Sequence, residues 1–143
     1  MPTAAVTLNV TTFNASPTPC VISRPDIHPG GGGNRVKYKN PANLNDYTIV
    51  TMKKGAASLD IAFNIPGCTF PAANATPVTF AGANAGANFP TQVVDNASST
   101  VTVTNVFANC GNGSDNPSWK YSIAIVSAAG VQGFIDPIIE NEN

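Results

Sequence analysis

Apolar and polar residues alternate with period two along much of this chain, and helical periodicity is nearly absent. A period of two puts successive side chains on opposite faces, as in a strand with one buried side. Val6, Leu8 and Val10 alternate with Thr7, Asn9 and Thr11, and Tyr47, Ile49 and Thr51 alternate with Thr48, Val50 and Met52. Leu59, Ile61 and Phe63 alternate with Ser58, Asp60 and Ala62, which assigns Asp60 to the solvent face. Val101, Val103 and Asn105 alternate with Thr100, Thr102 and Thr104. Trp119, Tyr121, Ile123 and Ile125 alternate with Ser118, Lys120, Ser122 and Ala124, the strongest strand pattern in the chain.

Shorter strands are expected at residues 20–24, 35–39, 77–80, 92–95 and 131–135. Turn dipeptides separate them: Pro29-Gly30 with the glycines that follow, Asn40-Pro41, Lys54-Gly55, Pro66-Gly67, Asp95-Asn96, Asn112-Gly113 and Ala129-Gly130. This pattern predicts an all-β fold, a single antiparallel β-sandwich of about seven to ten short strands over residues 1–143. The Thr-rich faces suit sheets with one side in water. Two stretches are expected outside the strands. Residues 26–34, with four consecutive glycines from Gly30 to Gly33, read as a flexible loop. The tandem Ala-Gly-Ala-Asn of residues 81–88, held between Phe80 and Phe89, reads as a surface loop or irregular connection.

Charge changes the picture more than any motif. Only 10% of the 143 residues are charged, the net charge is −1, there is one histidine, and both glutamates, Glu140 and Glu142, lie in the last four residues. Acid–base sites are built mainly from His, Glu, Asp and Lys, so a catalytic role is not expected. The scattered cations, with only Lys53 and Lys54 adjacent, supply no stripe to neutralise phosphates, which argues against nucleic acid as a partner. No run of apolar residues is long enough for a membrane-spanning helix. The start, Met-Pro-Thr-Ala-Ala-Val-Thr-Leu, has neither the basic nor the apolar region of a signal peptide. The expectation adopted is a chain that works in an extracellular or periplasmic setting, its signal absent or already removed.

The candidate chemistry is thin. The glycine run lacks the Gly-Lys-Ser/Thr ending of a phosphate loop and no helix follows it. His28, with Asp26 two residues before it, is the one histidine base on offer, and it sits beside the glycines, a poor setting for a preorganised triad. One histidine cannot complete a blue-copper set or a convincing zinc set. Residues 109–116 have oxygen ligands and glycines but only Asp115 as an anion, so a polar turn is expected there rather than calcium. Asp60 and Asp95 lie in or beside strands with nothing to bring them together as a hydrolytic pair. No metal and no cofactor is expected.

Trp119 and Tyr121 share one face of the best strand and read first as core; the minor reading is an exposed platform that binds a carbohydrate or another small ligand. Cys20, Cys68 and Cys110 are an odd count with no CxxC spacing. Cys68 and Cys110, each in a Gly-containing turn, are the candidate disulfide, with buried reduced thiols as the competing reading.

The ending, Trp119-Lys-Tyr-Ser-Ile-Ala-Ile through Phe134-Ile-Asp-Pro-Ile-Ile-Glu-Asn, resembles that of small uncharacterised bacterial β-sandwich proteins, which pair an aromatic strand with a closing Asp-Pro-x-Ile strand. The resemblance implies an immunoglobulin-like or cupredoxin-like sandwich and no known activity. Trp119 follows all three cysteines, whereas in an antibody domain the Trp lies between two. The expectation is a structural or protein-interaction module whose partner is itself or another protein, with a glycan as the alternative ligand. Weakly charged strand edges favour assembly by strand addition, and residues 3–13 are the expected donor.

Overall fold

The computed structural model describes residues 3–10, 20–22, 26–31, 36–39, 49–53, 58–110, 117–135 and 138–142. The strands are β1 (Thr3–Asn9), β2 (Cys20–Ile22), β3 (Asp26–Gly31), β4 (Val36–Lys39), β5 (Ile49–Lys53), β6 (Leu59–Asn64), β7 (Cys68–Thr69), β8 (Val78–Ala81), β9 (Thr91–Asp95), β10 (Thr100–Asn105), β11 (Ser118–Ser127), β12 (Gln132–Ile135) and β13 (Ile138–Glu142). A single helical turn, α1 (Ala85–Asn88), lies between β8 and β9. The fold is all-β, and the strands beyond the ten expected segments are β3, β7 and β13. The strand assignments to Thr11, Ser23, Arg24, Arg35, Tyr47 and Thr48, and the turns at Asn40-Pro41, Lys54-Gly55 and Asn112-Gly113, lie outside the described residues.

Two sheets share one core. The first runs β3-β1-β6-β10-β9; the second runs β2-β12-β11-β13-β5-β4, with β7 and β8 on the other side of β11. Most ladders are antiparallel, as the short connections predict, but β1–β6, β2–β12 and β5–β13 are parallel. β12 and β13 pair with β11 in one unbroken register, Ile123 opposite Ile135 and Ser118 opposite Glu140, so they form the return arm of one long hairpin. Its turn uses Gly130 at φ 82, a conformation suited to glycine, and Ser127 caps it by accepting at Oγ from the Val131 amide (3.0 Å).

The alternation seen in the sequence is the alternation of burial. Leu59, Ile61 and Phe63 of β6 and Val101 and Val103 of β10 are fully buried. So are Ile123 and Ile125 of β11 and Ile135 of β12. Rings bridge the sheets: Phe63 and Tyr121 have centroids 5.1 Å apart, Phe80 stacks on Phe89 at 4.1 Å, and Phe89 meets Trp119 edge-on at 5.2 Å.

Two expectations are corrected and a third is refined. Residues 26–31 are not a loop: they form β3, antiparallel to β1, with Pro29 opposite Val6 and Gly30 opposite Ala5. An edge strand tolerates proline because one side of its backbone needs no ladder bond. Residues 32–34 of the expected loop lie outside the described residues. The segment expected to be donated, 3–13, is held in its own sheet over Thr3–Asn9, with β3 on one side and β6 on the other. The Ala-Gly-Ala-Asn connection does stay on the surface, but Asn88 within it is fully buried. Its Nδ2 donates to the Asn84 carbonyl (2.8 Å) and to Asn109 Oδ1 (2.9 Å), and its Oδ1 accepts from the Asn109 amide (2.8 Å). Trp119 Nε1 donates to the Ala83 carbonyl at 2.9 Å, so side chains with polar tips hold a stretch that is too small-residued to pack by itself.

Candidate functional site

The residues singled out by sequence do not converge. Trp119 and Tyr121 are each 1% exposed and lie in the core, so the stacking platform is not formed: β11 is central in its sheet and turns this face toward Phe63, Phe80 and Phe89. Cys68 and Cys110 are thiols with no bond between them. Cys68 is on β7, opposite Ser127 of β11, whereas Cys110 lies beyond the end of β10 and donates from Sγ to the Phe107 carbonyl at 3.5 Å. Burial pushes the Cys68 thiol above its ordinary range, which keeps it protonated and weakly nucleophilic.

His28 and Asp26 are on the edge strand β3, at register positions opposite Thr7 and Asn9. Asp60 and Asp95 are separated by β10 and sit at opposite ends of the sheet: Asp60 is opposite Thr104 and accepts from its Oγ1 at 2.7 Å, while Asp95 is opposite Thr100. Asp95 accepts instead within its own turn, from the Ala97 amide (3.1 Å) and Ser98 Oγ (2.9 Å). Of residues 109–116, where a polar turn is expected, 111–116 lie outside the described residues. Among the described residues no three His, Cys, Asp or Glu side chains gather where a metal could be held.

What stands out is an edge. Among the described residues β2, β3, β4, β7, β8 and β9 each pair with a strand on one side only. An open edge carries a row of backbone donors and acceptors that invites another strand, and folded chains usually blunt it. β2 and β7 are short, β3 contains Pro29, and β4 carries Lys37 and Lys39. β8 is blocked by a side chain. Gln92 of β9 reaches across from the other sheet, and its Oε1 accepts from the Val78 amide at 3.1 Å while its Nε2 donates to the Val78 carbonyl. The primary amide thus takes the place of a neighbouring strand at Val78 and closes this side of the core.

β9 has none of these defences. Its sequence is Thr-Gln-Val-Val-Asp, without lysine or proline, and Thr91, Val93 and Asp95 are exposed while Gln92 and Val94 turn inward. Val93, at its centre, is 68% exposed, against 39% for Val106, the other exposed large apolar residue among those described. The register aligns Ala62, Thr102 and Val93 in one row, flanked by Asn64–Thr100 and Asp60–Thr104, both hydrogen-bonded across the strands. The pattern of residues 92–95 predicts a strand, but nothing in it marks an open edge, and the pairing of Gln92 with Val78 spans two sheets. Comparison with protein-family models and with curated proteins finds no match for this chain.

Proposed function

We propose that this chain is a non-catalytic structural or protein-interaction module that associates by strand addition, working in an extracellular or periplasmic setting. The observation that carries the reading is β9: an open, uncharged-centred edge with Val93 68% exposed, where the other open edges among the described residues are short, interrupted, lysine-bearing or clasped. Main-chain bonds to an added strand supply affinity there, and outward side chains such as Val93 supply selectivity. The low net charge of −1 offers little repulsion to association. The role of the chain is that of an acceptor edge, since β1 is engaged on both sides at home. A carbohydrate-binding role has less to recommend it, because the rings that would stack on a sugar are inside.

Light scattering on the purified chain tests this reading. Association is expected, and Val93→Lys, which places a charge on the edge without touching the core, is expected to reverse it. An assembled species of the same mass in both proteins would refute strand addition at β9.

A further inference from the structure

We infer that the strand added to β9 is β9 of a second copy, antiparallel and related by a two-fold axis through Val93. The inference rests on the strand-addition reading above and names its partner. Two observations select the second copy. First, β9 is self-complementary in this register. Val93 faces Val93 of the other copy, Gln92 faces Val94, and Thr91, a hydroxyl donor, faces Asp95, a carboxylate, so no like charges meet. Second, the pairing continues what the sheet already does. β9 is antiparallel to β10, with Thr102 opposite Val93 and Ala62 opposite Thr102, so the added copy extends this small uncharged row across the axis.

An antiparallel pair closes on itself and satisfies both edges at once. A parallel addition of β9 onto β9 has no such two-fold and would not close. The clasp sharpens the choice further. Gln92 and Val94 point inward, with the amide of Gln92 committed to Val78, so the edge backbone is anchored from within while Thr91, Val93 and Asp95 remain outward. β8, the neighbouring open edge on the same side of the molecule, is thereby withheld from pairing at Val78. One edge is closed by the residue that holds the other in place.

Thiol cross-linking of the full chain reads the register directly. Residues facing across an antiparallel pair have Cα atoms roughly 4.5–5.5 Å apart, within disulfide reach. Val93→Cys under mild oxidation is expected to give a covalent dimer whose digest contains the 93–93 linked peptide. Thr91→Cys is expected to give no 91–91 link, because those positions lie about 13 Å apart along the strands. An equimolar mixture of Thr91→Cys and Asp95→Cys is expected to give the 91–95 link. Each variant is at an exposed position, and its melting temperature is compared with that of the parent chain to confirm folding. A two-chain mass in solution without a 93–93 link overturns the two-fold at Val93 while leaving self-association intact. A one-chain mass at every concentration, with no link, overturns the second copy as the partner. In that case strand addition survives only if another protein reverses its binding in Val93→Lys.

Discussion

Replacing Gln92 with alanine removes a side chain that stands in for a strand, and its cost follows from two hydrogen bonds. Val78 is 2% exposed as a residue, and its amide and carbonyl are bonded to Gln92 Oε1 (3.1 Å) and Nε2. A hydrogen bond of this kind contributes about 1 kcal/mol net, and more when the group left behind is shielded from water. Both bonds are partly buried, so water replaces them in part, and the loss comes to about 2 kcal/mol. For a chain of 143 residues that corresponds to a fall in melting temperature of about 6–8 °C. Gln92→Glu separates the two bonds. A carboxylate still accepts from the Val78 amide but turns a second oxygen toward the Val78 carbonyl, whereas the protonated acid can donate to it. The carboxyl is therefore held above its ordinary range in the folded state, and destabilisation grows as pH rises through the carboxyl range. Thermal melts of both variants at pH 4 and pH 7, with amide exchange at Val78 as the local readout, test the argument. A Gln92→Ala protein melting within about 1 °C of the parent, with Val78 still protected, would refute it.

Other substitutions probe other parts of the structure. Asn88→Ala strips three side-chain hydrogen bonds from a fully buried site and leaves the Asn109 amide and Asn84 carbonyl to find new partners; a loss of about 3 kcal/mol in urea unfolding is expected, and a loss near zero would contradict the role of Asn88 in holding this connection. Phe63→Ala, at a fully buried ring that packs against Tyr121, is expected to cost about 3–5 kcal/mol by the same measurement, and a cost below about 1 kcal/mol would contradict its place in the core. Burial raises the Cys68 thiol, so the folded chain stays protonated there when the unfolded chain ionises; stability is fully present below the ordinary thiol range and falls as pH rises above it. Alkylation of Cys68, followed by mass spectrometry at pH 8, is expected to be much slower in the folded chain than in denaturant, and equal rates would contradict its burial. Deleting residues 1–9 removes a strand paired on both sides and is expected to leave an unfolded chain; a folded monomer would contradict the place of β1 in the sheet.

The strands that the sequence shows most plainly are those whose information is local. β6, β10 and β11 alternate with period two and are bounded by turn residues, and their apolar positions are the buried ones. β3 was illegible because its glycines and proline speak locally for a loop, while its pairing is supplied by β1 from elsewhere in the chain. Trp119 and Tyr121 lie on one strand face in either reading; only the second sheet, with Phe63 against Tyr121, settles that this face is inward. The surroundings of Cys68 and Cys110 were illegible for a related reason, since turn-like neighbours in sequence say nothing about where each side chain packs. The candidate site is the least legible part. Residues 91–95 and 132–135 are both short strands of mixed composition, and only strand order makes one an edge and the other an interior strand. Asn88 and Gln92 act through partners 21 and 14 residues away, distances at which composition carries no signal.

Amide hydrogen exchange across a range of protein concentration tests the central claim most directly, because it reports which edge acquires a strand. The account predicts that amides of Thr91–Asp95 that are not bonded to β10 gain protection as concentration rises. Those of β3 and β4, edges marked by Pro29 and by Lys37 and Lys39, are predicted to stay unchanged. Protection in β9 that is independent of concentration, or gained at another edge instead, would contradict it.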